Sequence, residues 1–143
     1  AVLPHLKRWS AVHANEMRHG KEARKRYGDA AVDAANERLL GMSEAEWDAK
    51  ETLEQAIIEQ LKAAVAAGNA KGPEAAKLAQ MHARWIRMQW GEGAYSTDAH
   101  VALAQSYLED ERFVDYYDSR AGEGATAVLV AAIEAAIGEC GID

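Results

Sequence analysis

The chain carries 5 His, 4 Trp, 5 Tyr and 1 Cys, the side chains best suited to chemistry or to ring recognition. His82, Trp85, Ile86 and Gln89 stand at offsets of 3, 4 and 7, so on a helix they line one face. Met81 and Met88 flank that face and Trp90 closes its end. Tryptophan with methionine makes a broad, adaptable apolar wall that suits a large, irregular guest, although plain core packing gives the same stripe. His100, Leu103 and Tyr107 form a second one-face set. Two facing helices would bring the histidines together or line one cleft.

Other chemistries find less support. A closed metal site needs three or four ligands, and His82 and His100 stand apart with no HxxxH or CxxC spacing anywhere. No metal, haem or other cofactor is expected. Cys140 lies past the last expected helix with no histidine near it in sequence, so it reads as an ordinary thiol. Glu109-Asp110-Glu111 reads as a helix cap with a solvated rim rather than an acid–base pair. Gly91-Glu92-Gly93 lacks both the preceding strand and the spacing of a phosphate loop. Enzymatic activity has no positive signal.

The elements that must position these residues are helices. Of the apolar residues 31 are Ala, while Val, Ile and Thr number only 8, 6 and 3, a composition that favours closely packed helices and nearly excludes a sheet. Residues 4–27 are helix-compatible, with Leu6, Trp9, Val12, His13 and Met17 on one stripe and Gly20 as a weak point. Asp29 caps a helix to Leu40. Ser43-Glu44-Ala45-Glu46 is a capping box that opens a long helix carrying Trp47, Leu53, Ile57, Leu61, Ala64 and Val65 as far as Gly68. Pro73 opens the helix that ends near Trp90. Further helices run over about 98–108, from Asp110 through Phe113, Tyr116 and Tyr117, and past Gly124 to near Gly138. The expected architecture is all-α, one compact domain of six to seven helices.

The net charge of −7 argues against direct nucleic-acid binding, which depends on clustered cations. Residues 1–28 hold seven Lys/Arg against two Asp/Glu, residues 29–91 seven against ten, and residues 92–143 two against eleven. The basic end should be drawn to the acidic end. A single cysteine fits a reducing cytoplasm, and no apolar run approaches the ~18 residues of a membrane span. The first residue is not Met, so the chain is expected to be excised from something longer.

Arg26-Tyr27-Gly28, Met42-Ser43-Glu44-Ala45-Glu46-Trp47, His82 with Ile86, His100-Val101-Ala102-Leu103 and Tyr107-Leu108-Glu109-Asp110-Glu111-Arg112-Phe113 resemble, in this order, the TipAS family of drug-recognition domains. The likeness continues through Tyr116-Tyr117-Asp118 and Gly124 to Ala132-Ile133, covering roughly residues 22–137. Its most specific piece is Tyr107, Asp110, Arg112 and Phe113. The resemblance implies a somewhat globin-like domain that binds bulky apolar antibiotics such as thiopeptides. Such domains are the effector half of a MerR-type transcription activator, or stand alone as drug-sequestering, albicidin-binding-type resistance proteins. In the activators a helix-turn-helix and a dimerising coiled coil come first; these residues contain neither, so any DNA contact would run through a separate domain. Where the thiopeptide-responsive relative has the cysteine that attacks a dehydroalanine, this sequence has Ala102. The spacing from His82 to His100 is slightly longer than in that relative, which alters the cleft rim around Gly93 and Tyr95.

The expected function is therefore non-covalent recognition of a bulky apolar antibiotic by residues 1–143 as one domain, with 29–138 as the body and 1–28 as a basic lid or linker. The ligand site is expected between the helix of His82, Trp85, Met88, Gln89 and Trp90 and the helix of His100, Leu103 and Tyr107, with Tyr95 at the rim. A full-length regulator would be a homodimer and the isolated domain a monomer, in the cytoplasm. A helical protein-interaction domain is the alternative from another class.

Overall fold

A computed structural model describes residues 11–138 apart from Glu92. Leu6, Trp9 and Cys140 lie outside the described residues. The described chain is all-α. A helical segment from residue 11 passes through a π-turn at Glu16–Gly20 into α1 (Lys21–Tyr27), followed by α2 (Asp29–Leu40), α3 (Glu44–Ala67), α4 (Pro73–Trp90), α5 (Thr97–Tyr107), α6 (Glu111–Ala121) and α7 (Ala125–Ile133). A second π-turn, Glu134–Gly138, continues α7.

The helix starts follow local chemistry. Ser43 accepts from the Glu46 amide at 3.1 Å while the Glu46 carboxylate accepts from the Ser43 amide at 2.9 Å, the reciprocal box that opens α3. Ser96 caps α5 and Asp110 caps α6. Gly28 joins α1 to α2 at φ +88°, a backbone state that L side chains rarely adopt.

α7 lies at the centre and packs on α3, α4, α5 and α6. Ala64, Ala75, Ala79, Ala104, Ala125 and Ala132 are buried where helices meet, which is how an alanine-rich sequence builds a dense core from closely spaced cylinders. Leu61, Leu78, Leu129 and Ile133 fill the space between them. Lys50 is buried along its stem, with its ammonium 4.5 Å from the centre of the Trp47 ring and 3.8 Å from Glu54.

The first segment departs from a regular helical stripe. Val12 is buried, yet His13 is exposed and Met17 is 76% exposed. The π-turn adds a residue to the turn that holds Met17, so the inward face beyond it is taken by His19 and Gly20 instead.

Asp118 fastens α6 to α7. Its carboxylate accepts from the Gly124 amide at 3.0 Å, the Thr126 amide at 2.9 Å and the Thr126 hydroxyl at 2.8 Å, and these donors hold its pKa below the ordinary carboxylate value. Asp118→Ala would strand the donors of Thr126, a buried residue at the start of α7. We expect a loss of about 1–3 kcal/mol in urea unfolding. A change under ~0.5 kcal/mol would show that water replaces the carboxylate.

Candidate functional site

α4 carries His82 and Trp85 on the side turned to the core, and α5 brings His100 and Tyr107 against them. His82 Nδ1 lies 2.8 Å from His100 Nε2, with the ring planes 7° apart. His100 Nδ1 meets the Tyr95 hydroxyl at 2.9 Å and His82 Nε2 meets the Tyr107 hydroxyl at 3.4 Å. The Tyr107 ring packs in turn on Tyr117, 5.5 Å between centroids. A neutral imidazole has one donor and one acceptor, so every ring nitrogen of the pair is used in one continuous chain of bonds. That is why two polar rings are tolerated in the core.

The chain carries no charge near neutral pH. Burial first, then the positive charge of the other histidine, drives His82 down to about 3. Burial and the nearby Arg87 take His100 down to about 4. Burial pushes the Tyr107 and Tyr117 phenols well above their usual value. Among the described residues no group of three or more His, Cys, Asp or Glu could hold a metal ion.

The seam between α4 and α5, where the sequence leads one to expect the ligand, is closed by the His82–His100 contact itself. Open space lies on the other sides of these residues. One cleft, of about 530 Å³, lies between the N-terminal segment and the α5–α6 corner, lined by Ala23, Tyr27, Leu103, Ser106 and Phe113 among others. Another, of about 400 Å³, is walled by Ile57 and Ile58 of α3, His82 and Trp85 of α4, Tyr107, and Phe113, Tyr116 and Tyr117 of α6, with the charged Glu54, Arg112 and Arg120 and the N-terminal segment's Asn15 and His19 also lining it. Trp85 Nε1 is shut off from solvent and has no hydrogen-bond acceptor among the described residues.

Of the residues expected at the site, the structure thus brings His82, Trp85 and Tyr107 to the smaller cleft and Leu103 to the larger. Met88, Gln89, Trp90, Tyr95 and His100 border neither. They serve the end of α4: the Met88 carbonyl accepts from Arg38 of α2 at 2.9 Å, and Gln89 donates to the Trp85 carbonyl at 3.4 Å. Trp90 lies between Tyr27 and Tyr95, at 6.5 and 6.3 Å between centroids. Tyr95 is held by His100 and by the Arg87 guanidinium 4.3 Å from its ring centre. Ile57, Ile58, Phe113, Tyr116 and Tyr117 are walls that the aromatic stripe on α4 did not disclose. Phe113, Tyr116 and Tyr117, at offsets of 3 and 4 on one helix, were the available signal.

The motif around Tyr107 now has a physical account. Asp110 caps α6 by accepting from the Arg112 amide at 3.0 Å, and the Arg112 guanidinium returns to the same carboxylate at 2.9 and 2.7 Å. This locked first turn aims Phe113 at Tyr107, 4.7 Å between centroids. The N-terminal segment is tied to that corner through Arg26 to Glu109 at 2.9 Å and His19 to Asp110 at 3.8 Å.

The sequence matches the TipAS antibiotic-recognition domain over residues 19–136. The chain belongs to the TipAS family. Comparison with curated proteins and with solved structures gave no significant match. The family's domains are described as recognising antibiotics. No helix among the chain's described residues is long and apolar enough to cross a membrane.

Proposed function

We propose that this TipAS domain binds a bulky, largely apolar antibiotic without forming a covalent bond, in the cleft walled by Trp85, Phe113, Tyr116 and Tyr117. The observation that carries the reading is the make-up of that cleft: aromatic and aliphatic walls, with the charged Glu54, Arg112 and Arg120 also among its lining, around an inner edge, His82 and Tyr107, that is neutral and already hydrogen-bonded within the protein. A saturated inner edge asks no hydrogen bond of the guest, so affinity comes mainly from the apolar walls. Ala102, exposed on α5, offers no nucleophile.

In this reading residues 1–28 are a cover rather than part of the body, held down by Arg26–Glu109, with Gly28 as the joint. Removing residues 1–20 is expected to lower affinity at least several-fold, since the bound drug loses a wall, while the body keeps its helical circular dichroism. A truncated domain that binds as tightly as the whole would dispose of the cover.

The biological role we favour is the effector-sensing domain of a MerR-type regulator acting in the cytoplasm, dimeric through a preceding coiled coil. Drug sequestration by a stand-alone protein is the second reading. Titration with a panel of thiopeptide and albicidin-type antibiotics, followed by mass spectrometry of protein and drug, tests the binding. A protein whose mass rises by that of the drug, or a drug recovered altered, would overturn the non-covalent reading.

A further inference from the structure

The two clefts have three lining residues in common, His19, Arg112 and Phe113. Of these only His19 comes from the N-terminal segment. Its imidazole lies nearly flat on the Phe113 ring, with centroids 4.6 Å apart and planes at 19°. On one side of that stack are Tyr27 and Leu103; on the other are Trp85, Tyr107 and Tyr117. The His19 ring thus stands at the boundary of the two spaces, beside Arg112 and Phe113 of the body. It is there because the π-turn rotates residue 19 inward, and π-turns within helices frequently lie at functional sites. Phe113 already packs on Tyr107, so the body does not depend on the imidazole to hold Phe113 in place.

Resting on the cleft reading above, we propose that the two clefts are halves of one trough and that the His19 ring is a built-in plug holding the place of a planar ring of the ligand. What the imidazole supplies indicates what replaces it. It offers a flat face to Phe113 and a nitrogen 3.8 Å from the Asp110 carboxylate, on a rim where Arg112 already pairs with Asp110 and Arg26 with Glu109. The replacement is a planar heteroaromatic ring in the middle of an elongated molecule, one end lying toward Tyr27 and Leu103 and the apolar end toward Trp85. Ligands short enough for one cleft leave the plug in place.

Thioflavin T, an elongated cationic benzothiazolium whose emission rises when its two halves are held coplanar, is the probe, and 3-methylbenzothiazolium, its short half, is the control. Removing a stacked ring that must otherwise be displaced is expected to tighten thioflavin T binding to His19→Ala by about fivefold or more. The short half should change less than about twofold, and His19→Phe, which keeps a ring on Phe113, should stay near wild type. Unchanged or weaker binding to His19→Ala, an equal gain in His19→Phe, or no binding by any of the three proteins would overturn the plug. Trp85→Ala separates the two ideas: if it loses thioflavin T while His19→Ala is unchanged, the cleft stands and the plug falls. If neither variant differs from wild type, both fall.

Discussion

Trp85→Ala is expected to weaken binding of the cognate antibiotic more than about tenfold while the domain stays folded. An indole buries on the order of 150–250 Å², and at about 25 cal/mol per Å² even half of that against the ligand is roughly 2 kcal/mol. Tenfold requires about 1.4 kcal/mol. The substitution also removes the Nε1–H, the sealed donor with no acceptor of its own. Trp85 is only half-buried, so the fold loses less than the ligand does. Trp90→Ala is the matched control, because Trp90 packs on Tyr27 and Tyr95 and borders neither cleft. Its affinity should change less than about threefold by isothermal titration. Equal losses in both variants, or none in either, would put the drug somewhere else.

Stability should fall as the solution is acidified well above the carboxylate range, and the His82–His100 pair is the reason. Both histidines titrate near 6.5 when exposed, whereas in the fold they are held down to about 3 and about 4. The unfolded chain therefore takes up protons first, and its advantage grows as pH drops from 6.5 toward 4. The stabilisation from keeping the rings neutral is complete above pH 6.5 and is lost progressively below it. At 1.36 kcal/mol per unit and two groups, the loss between pH 7 and 4.5 is at most about 5 kcal/mol. It is smaller to the extent that one protonation opens the site for the other. Urea unfolding at pH 7, 5.5 and 4.5 measures it, and His82→Gln should be weaker at pH 7 but flatter across the series. A wild-type midpoint that does not move over this range would mean that the pair is not sealed from water.

Much of the architecture could be read without coordinates. The capping box at Ser43, Pro73 after Gly72 and the cap at Asp110 act within a few residues, so the starts of α3, α4 and α6 follow from sequence alone, whereas Asp29, expected as the cap of α2, is its first helical residue, with Gly28 in the cap position and no side-chain cap. Alanine content indicated closely packed helices for the same reason, because side-chain volume limits how near two helices can come. The order of motifs from Tyr27 to Ile133 was also sufficient to suggest the TipAS family. The phase of the first segment was not legible, since the π-turn at Glu16–Gly20 is a local underwinding that no composition rule marks.

Local sequence thus determined the helices, their caps, their apolar faces and the family. Tertiary packing decided which of those faces remain open. His82 and His100 lie on apolar stripes that fit a ligand wall or a core equally well, and only the distance between α4 and α5 made them partners at 2.8 Å and closed that seam. The same packing left space beside Trp85 and Phe113, because α3, α6 and the N-terminal segment meet there without filling it. A helical period reveals which residues share a face; whether that face meets a neighbour or a void depends on side chains distant in sequence, which no single segment encodes.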